Sequence, residues 1–211
     1  MRLICISDTH NQHDALKLPA GDVLIHAGDF TGAGRAAEVE AFAKWLGAQP
    51  HKHKLLIAGN HDWLFERDNA QARALLLLHC PRAIYLEDTG AEIDGVKFWG
   101  SPWTPFFLNW AFNLKRGAPL SAKWSLIPAD TQVLITHGPP HRILDLTRHG
   151  KNMGCEELAD ALHKRLRPKV HVFGHIHEGY GSYTRNGTKF VNASSCTEFY
   201  EATNAPVVVE V

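Results

Sequence analysis

The chain has 211 residues, 45% of them hydrophobic, which suffices for one sizeable core and is short for two, so a single domain over 1–211 is expected. Its 22 basic and 22 acidic side chains cancel, so no basic excess points to a nucleic-acid backbone, and a dedicated nucleic-acid binder or a nuclease on long DNA is disfavoured. "MRLICIS" leads straight into a strand pattern, the longest apolar run is "ALLLL" at 74–78, and the four cysteines form no C-x-x-C pair, so no signal peptide or membrane span is expected and free thiols in a reducing cytoplasm are.

In chain order, "RLICIS" and "DVLIHAG" read as buried strands, and Arg35 to Ala48 reads as a helix with Val39, Phe42, Ala43 and Leu46 on one face. "KLLIAG" is a third strand, Asn69 to His79 a second helix, and "AEIDGVKFWG" a hairpin turning at Asp94-Gly95. "QVLITHG" is a fourth buried strand, Cys155 to Leu166 a helix with Leu158, Leu162 and Leu166 aligned, and "KVHVFGH" a fifth strand. "SYTRNGTKFVNA" is a hairpin at Asn186-Gly187, and "PVVVEV" closes the chain as a strand. Alternating strands and helices give an α/β class, and the hairpins make the sheet mixed. No repeat, low-complexity tract or linker divides the chain.

Each of the five buried strands ends in the same kind of residue. Asp8 and His10 follow the first, Asp29 the second, Asn60, His61 and Asp62 the third, His137 the fourth, and His175 and His177 the fifth. Open α/β sheets bind ligands at the C-terminal edges of their strands, so these ends can converge on one site. Carboxylate, amide oxygen and imidazole together suit Mn, Fe, Co or Zn better than a thiolate metal or an all-oxygen magnesium site. A two-metal site also needs a bridging ligand, a task suited to a carboxylate.

The ordered set D-x-H, G-D, G-N-H-D, H-G and G-H-x-H resembles the calcineurin-like metallophosphoesterase superfamily. "HAGDFT", "GSPWTP", "THGPP", "HIHEGYG" and "NASSCT" look like its subfamily of metallophosphoesterase-domain-containing proteins. The resemblance implies two mixed β-sheets packed face to face with helices outside. By motif position it implies Asp8, His10, Asp29 and His177 around one metal, and Asp29, Asn60, His137 and His175 around the other, with Asp29 bridging. His61 would act on the substrate. The ions would be two divalent or trivalent transition metals, Mn or Fe first, with Zn, Co or Ni as alternatives.

The implied function is hydrolysis of small phosphodiesters, such as cyclic nucleotides, by in-line attack of a hydroxide bridging the ions, with His61 as proton donor or charge stabiliser. Protein phosphatases of this superfamily follow G-D with a pattern of the form GDxxDRG, whereas "GDFTGAG" has Gly32 and Ala33 where the acid and arginine would stand. Without that arginine a dianionic monoester loses its grip, and His61 loses its usual orienting carboxylate. A phosphomonoesterase of the same fold, or a non-catalytic scaffold that kept it, is the alternative.

Several residues keep two readings. Asp62 either orients His61 or caps the helix opened by "WLFERDNA". The run "FWGSPWTPFFLNWAFN" either lines a pocket, with Trp103 and Phe106 as the candidate contacts, or covers a sheet face. His141, Asn109 and Asn113 are further candidates for substrate contact. His26 and His171, inside strands, are read as core histidines, and Cys155 as an inert buried thiol. The oligomeric state is not legible.

Overall fold

A computed structural model describes all 211 residues. The strands in chain order are β1 (Arg2–Ile6), β2 (Val23–His26), β3 (His53–Leu56), β4 (Ala83–Tyr85), β5 (Thr89–Ile93), β6 (Val96–Ser101), β7 (Thr104–Pro105), β8 (Asn113–Leu114), β9 (Val133–Thr136), β10 (Val170–Phe173), β11 (Gly181–Arg185), β12 (Thr188–Asn192) and β13 (Val207–Glu210). The helices are α1 (Ala36–Ala48), α2 (Trp63–Arg67), α3 (Asn69–His79), α4 (Ala118–Ser125) and α5 (Glu156–Lys164).

One sheet runs β13-β1-β2-β3-β4 and a second runs β11-β12-β10-β9-β6-β5, while β7 and β8 form a small pair of their own. Within the first sheet β1 to β4 are parallel and β13 is antiparallel to β1. In the second, β6, β9, β10 and β12 are parallel, and the two hairpin strands β5 and β11 close the edges antiparallel. Both sheets are mixed, as the hairpins predict. Asp94 and Gly95 have φ of 48° and 79°, and Asn186 and Gly187 have 51° and 81°, the positive pair that a two-residue hairpin turn requires.

Side chains alternate across each strand, and that alternation builds the layers. Leu3, Cys5, Val23, Ile25 and Leu55 of the first sheet meet Phe98, Val133, Ile135, Val172 and Val191 of the second in one buried core. Ile4, Ile6, Leu24 and Leu56 point the other way and are covered by Val39, Phe42 and Leu46 of α1 and by Leu76 of α3. On the far side, Leu134 lies under Leu120 and Trp124 of α4 and Leu158 of α5. Strands buried on both faces carry apolar residues at nearly every position, which is why they read as unbroken runs. The result is helices outside two face-to-face sheets, the architecture the resemblance implies.

The additions are short. α2 is one turn, β4 has three residues, and α4 spans eight with a proline in its first turn, too little for a period to register. No helix is long and apolar enough to cross a membrane.

Candidate dinuclear metal centre

The C-terminal ends of β1, β2 and β3 in one sheet and of β9 and β10 in the other meet at a common edge. The backbone there is bent into an unfavourable region: Asp8, His10, Asp29 and His175 have φ of 51°, 42°, 57° and 68°. For side-chain-bearing residues this costs about 1–3 kcal/mol each and persists where the surroundings enforce it. Glycine makes the approach possible. A Cβ on Gly28, itself at φ 98°, would lie 2.6 Å from His137 Nδ1, and one on Gly174 would lie 1.9 Å from Asp8 Oδ2.

Three groups of donors come within 4.8 Å of one another: Asp8, His10 and His177; Asp29, His137 and His175; and His10, Asp29 and His61. Asp29 belongs to two of them. Its Oδ2 lies 3.3 Å from His137 Nε2 and 3.9 Å from His10 Nε2, while Asp8 Oδ1 lies 3.4 Å from His177 Nε2. Asp8 is held by the Ser194 hydroxyl at 2.9 Å and by the backbone N–H of His175.

The histidines are aimed from behind. His137 Nδ1 donates to the Ala27 carbonyl at 2.9 Å and His177 Nδ1 to that of Thr197 at 2.9 Å, so each Nε2 faces the centre, as metal-binding imidazoles with a carbonyl partner do. Nε2 of His137 then faces Oδ1 of Asn60 at 2.9 Å. Two lone pairs that close repel unless a proton or a cation lies between them. The donor set therefore fits transition-metal ions.

The electrostatics agree with a cation-seeking site. Burial works against charge on Asp8 and Asp29, but His177 and His137 outweigh it and hold both carboxyls below the usual range. Burial equally opposes charge on His137 and His177, yet Asp29 and Asp8 push each up to about 9. Burial dominates at His10 and His175, which fall to about 4 and about 3.

The model of the calcineurin-like phosphoesterase family matches residues 1–179 of this chain. The chain belongs to that family. Family members are metal-dependent phosphoesterases with a dinuclear centre, acting on phosphoric esters. The human protein "Metallophosphoesterase domain-containing protein 1" is 42% identical over 99% of this chain and 70% of its own length. The Caenorhabditis elegans "UPF0046 protein T07D4.2" is 44% identical over the whole chain and 60% of its own. Among solved structures, TT1561 of Thermus thermophilus aligns with a TM-score of 0.64 at 15% identity, over 90% of this chain and 88% of that one. That likeness bears on the fold alone.

His61 is oriented without a carboxylate. Its Nδ1 donates to the carbonyl of Gly32 at 2.7 Å, and its ring stacks on Trp110 with centroids 4.3 Å apart and planes 22° from parallel. Gly32 is the position where related phosphatases carry the acid, so backbone replaces side chain there. Asp62 does neither of the two things considered for it. It makes no helix-cap bond; it accepts from the N–H groups of Asp29 (2.8 Å), Thr31 (3.0 Å) and Gly59 (2.8 Å) and from the Thr31 hydroxyl (2.7 Å), clamping the loops after β2 and β3 together. Burial and the charge of Asp29 push its carboxyl up, to about 7.

The candidate substrate contacts have the following surroundings. Trp103 donates from Nε1 to Asp88 at 2.8 Å and packs edge-on against Phe112 with Lys123 over its face. Phe106 is 57% exposed at a loop tip, Asn109 is exposed, and Asn113 ties the loop together through Thr104 and the N–H of Phe107. His141 opens onto another cavity. Of the aromatic run read as a possible pocket wall, Trp110 is the ring that stacks on His61; what sequence reading missed is Tyr200, whose ring lies 4.8 Å from that of His10 and 5.4 Å from that of His177. Tyr200 stands in no motif. His26 and His171 are buried and bonded to Thr9 and Thr136, and all four cysteines are buried and free, with the thiol of Cys155 pushed up to about 12 by burial.

Proposed function

We propose that the protein is a phosphodiesterase for small substrates, cyclic nucleotides among them, preferring diesters to monoesters. The observation that supports this is the make-up of the wall around the donor set: His61, Trp110 and Tyr200. No lysine or arginine side chain pairs with or bonds to any of the eight centre residues. A monoanionic diester needs no guanidinium fork, whereas a dianionic monoester gains most from one.

Asp8, His10, Asp29 and His177 would hold one ion and Asp29, Asn60, His137 and His175 the other, with Asp29 shared. The nitrogen and oxygen donors favour Mn or Fe, then Zn, Co or Ni. Such a pair of ions, when bound, supplies a hydroxide nucleophile at neutral pH and offsets the charge on the phosphoryl oxygens. With Nδ1 engaged by Gly32, His61 presents Nε2 to the substrate, where it delivers a proton to the departing alkoxide. Trp110 keeps that ring in plane, and the loop carrying it is fixed by Ala111 N–H on the Asn60 carbonyl at 3.2 Å and Phe112 N–H on Glu66 at 2.7 Å.

A hydrolysis screen of aryl diesters, 2′,3′- and 3′,5′-cyclic nucleotides and aryl monoesters, each with Mn, Fe, Co, Ni, Zn or Mg, tests the reading. Diester turnover above monoester turnover is expected. A faster monoester reaction with every metal would overturn it. His61→Ala is expected to keep its metals while losing roughly 10²- to 10⁴-fold in rate on a cyclic nucleotide, and less on a nitrophenyl diester whose leaving group needs no proton. Loss of bound metal would instead make His61 a ligand, consistent with its grouping with His10 and Asp29.

A further inference from the structure

His141 lies on the wall of a cavity of about 290 Å³, enclosed by the loop after β9, by α5 and by the β11–β12 hairpin. No residue of the metal centre lines it. Its floor is apolar, made of Ile143, Leu162 and Phe190, which pack together. Arg142, Arg167 and Arg185 also line it. In a chain of zero net charge this is a local excess. The one carboxylate on the wall, Asp160, is already paired with Lys164 at 2.6 Å.

The three arginines are not equivalent. Arg167 donates to the carbonyls of Leu162, His163 and Leu166 at the end of α5. Arg142 hydrogen-bonds only through its backbone N–H, to Asp145 at 3.0 Å, and Arg185 only through its strand backbone. Arg142 and Arg185 thus line the cavity as exposed residues whose guanidinium groups have no partner within the protein. Planar guanidinium forks match the oxygens of a phosphoryl group, and two of them match a dianion. A floor of Ile143 and Phe190 does nothing for a bare ion but buries a flat apolar body.

We propose that this cavity is a second ligand site, separate from the metal centre, for a small ring-bearing phosphate monoester held by Arg142 and Arg185 and laid on Ile143 and Phe190. The proposal does not rest on the assignment of the hydrolytic reaction, since binding alone is read. Phenylphosphonate, a dianion with a ring that cannot be hydrolysed, is the probe, and phenylglyoxal modification of each arginine, followed by peptide mass spectrometry on the Mn-loaded protein, is the readout.

Saturating phenylphosphonate is expected to slow modification of Arg142 and Arg185 roughly fivefold or more, leaving exposed Arg82 and Arg148 unchanged, while inorganic phosphate needs about tenfold more to protect, the equivalent of about 1.4 kcal/mol for the ring. Arg142→Gln is expected to abolish protection of Arg185, because one ligand serves both. Unchanged modification rates, protection that disappears on chelating the metals, or full protection of Arg185 in the Arg142→Gln protein would each overturn the proposal.

Discussion

Asp29 is the side chain on which both halves of the centre depend. It contacts His137 on one side and His10 on the other, and its Oδ1 accepts the backbone N–H of His61 at 2.7 Å. Replacing it with Asn keeps the shape and removes the charge that two cations would share if Asp29 bridges them, as proposed. Asp29→Asn is therefore expected to lower occupancy of both metal positions, measured by elemental analysis of the purified protein. Two ions bound at wild-type affinity would show that another residue bridges. Trp110→Ala is expected to leave metal content intact and to slow turnover by about tenfold, since a ring free to rotate presents Nε2 in fewer productive poses. Trp110→Phe is expected to recover most of that loss, because it restores a flat stacking surface.

At the scale of elements, the centre depends on how neighbouring strand ends are tied. Asp62 joins the loop after β2 to the turn after β3 through three hydrogen bonds, from Asp29 N–H, Thr31 N–H and the Thr31 hydroxyl, and closes its own turn through a fourth, from Gly59 N–H. Leaving a buried hydrogen-bonding group unpaired costs about 1–3 kcal/mol. Asp62→Ala is thus expected to cost stability by several kcal/mol in urea unfolding and to weaken metal binding, since Asp29 rides on that loop. A variant as stable as the parent would deny the clamp. Gly174, at the end of β10, makes the same point by close approach. An alanine there would put a methyl group into Asp8 Oδ2, so Gly174→Ala is expected to displace Asp8 and lower metal affinity even where the fold survives.

Across the whole molecule, burial of unprotonated histidine is expected to shape the response to acid. His171 is fully buried in β10, and burial pushes it down to about 3 from an ordinary 6.5. The unfolded chain takes up that proton first, so the contribution is complete above about pH 6.5 and is lost as pH falls from there toward 3. The slope is about 1.4 kcal/mol per pH unit. His171→Gln is expected to lose about 2 kcal/mol less stability than the wild type between pH 7 and pH 5. Parallel pH profiles for the two proteins would show that other groups set the acid limit.

The strand ends were legible in the amino-acid order because a buried strand must be apolar and a metal donor must be polar, so the change from one to the other is abrupt in "LICISDTH" and in "VHVFGHIH". The hairpin turns were legible for a similar local reason, as Asp94-Gly95 and Asn186-Gly187 tolerate positive φ. The division into two sheets was not, because an unbroken apolar run says that a strand has two buried faces and not which strand lies opposite. Nor was the setting of His61. The sequence shows that Gly32 and Ala33 lack the side chains of related phosphatases, but a backbone carbonyl carries no residue-type signal, and only the folded loop brings that of Gly32 to Nδ1. Tyr200 reaches the centre by the same route, from far along the chain beyond His61, where no spacing rule connects it and only packing does, and the aromatic run could be read as a pocket wall without showing that Trp110 is its ring against His61.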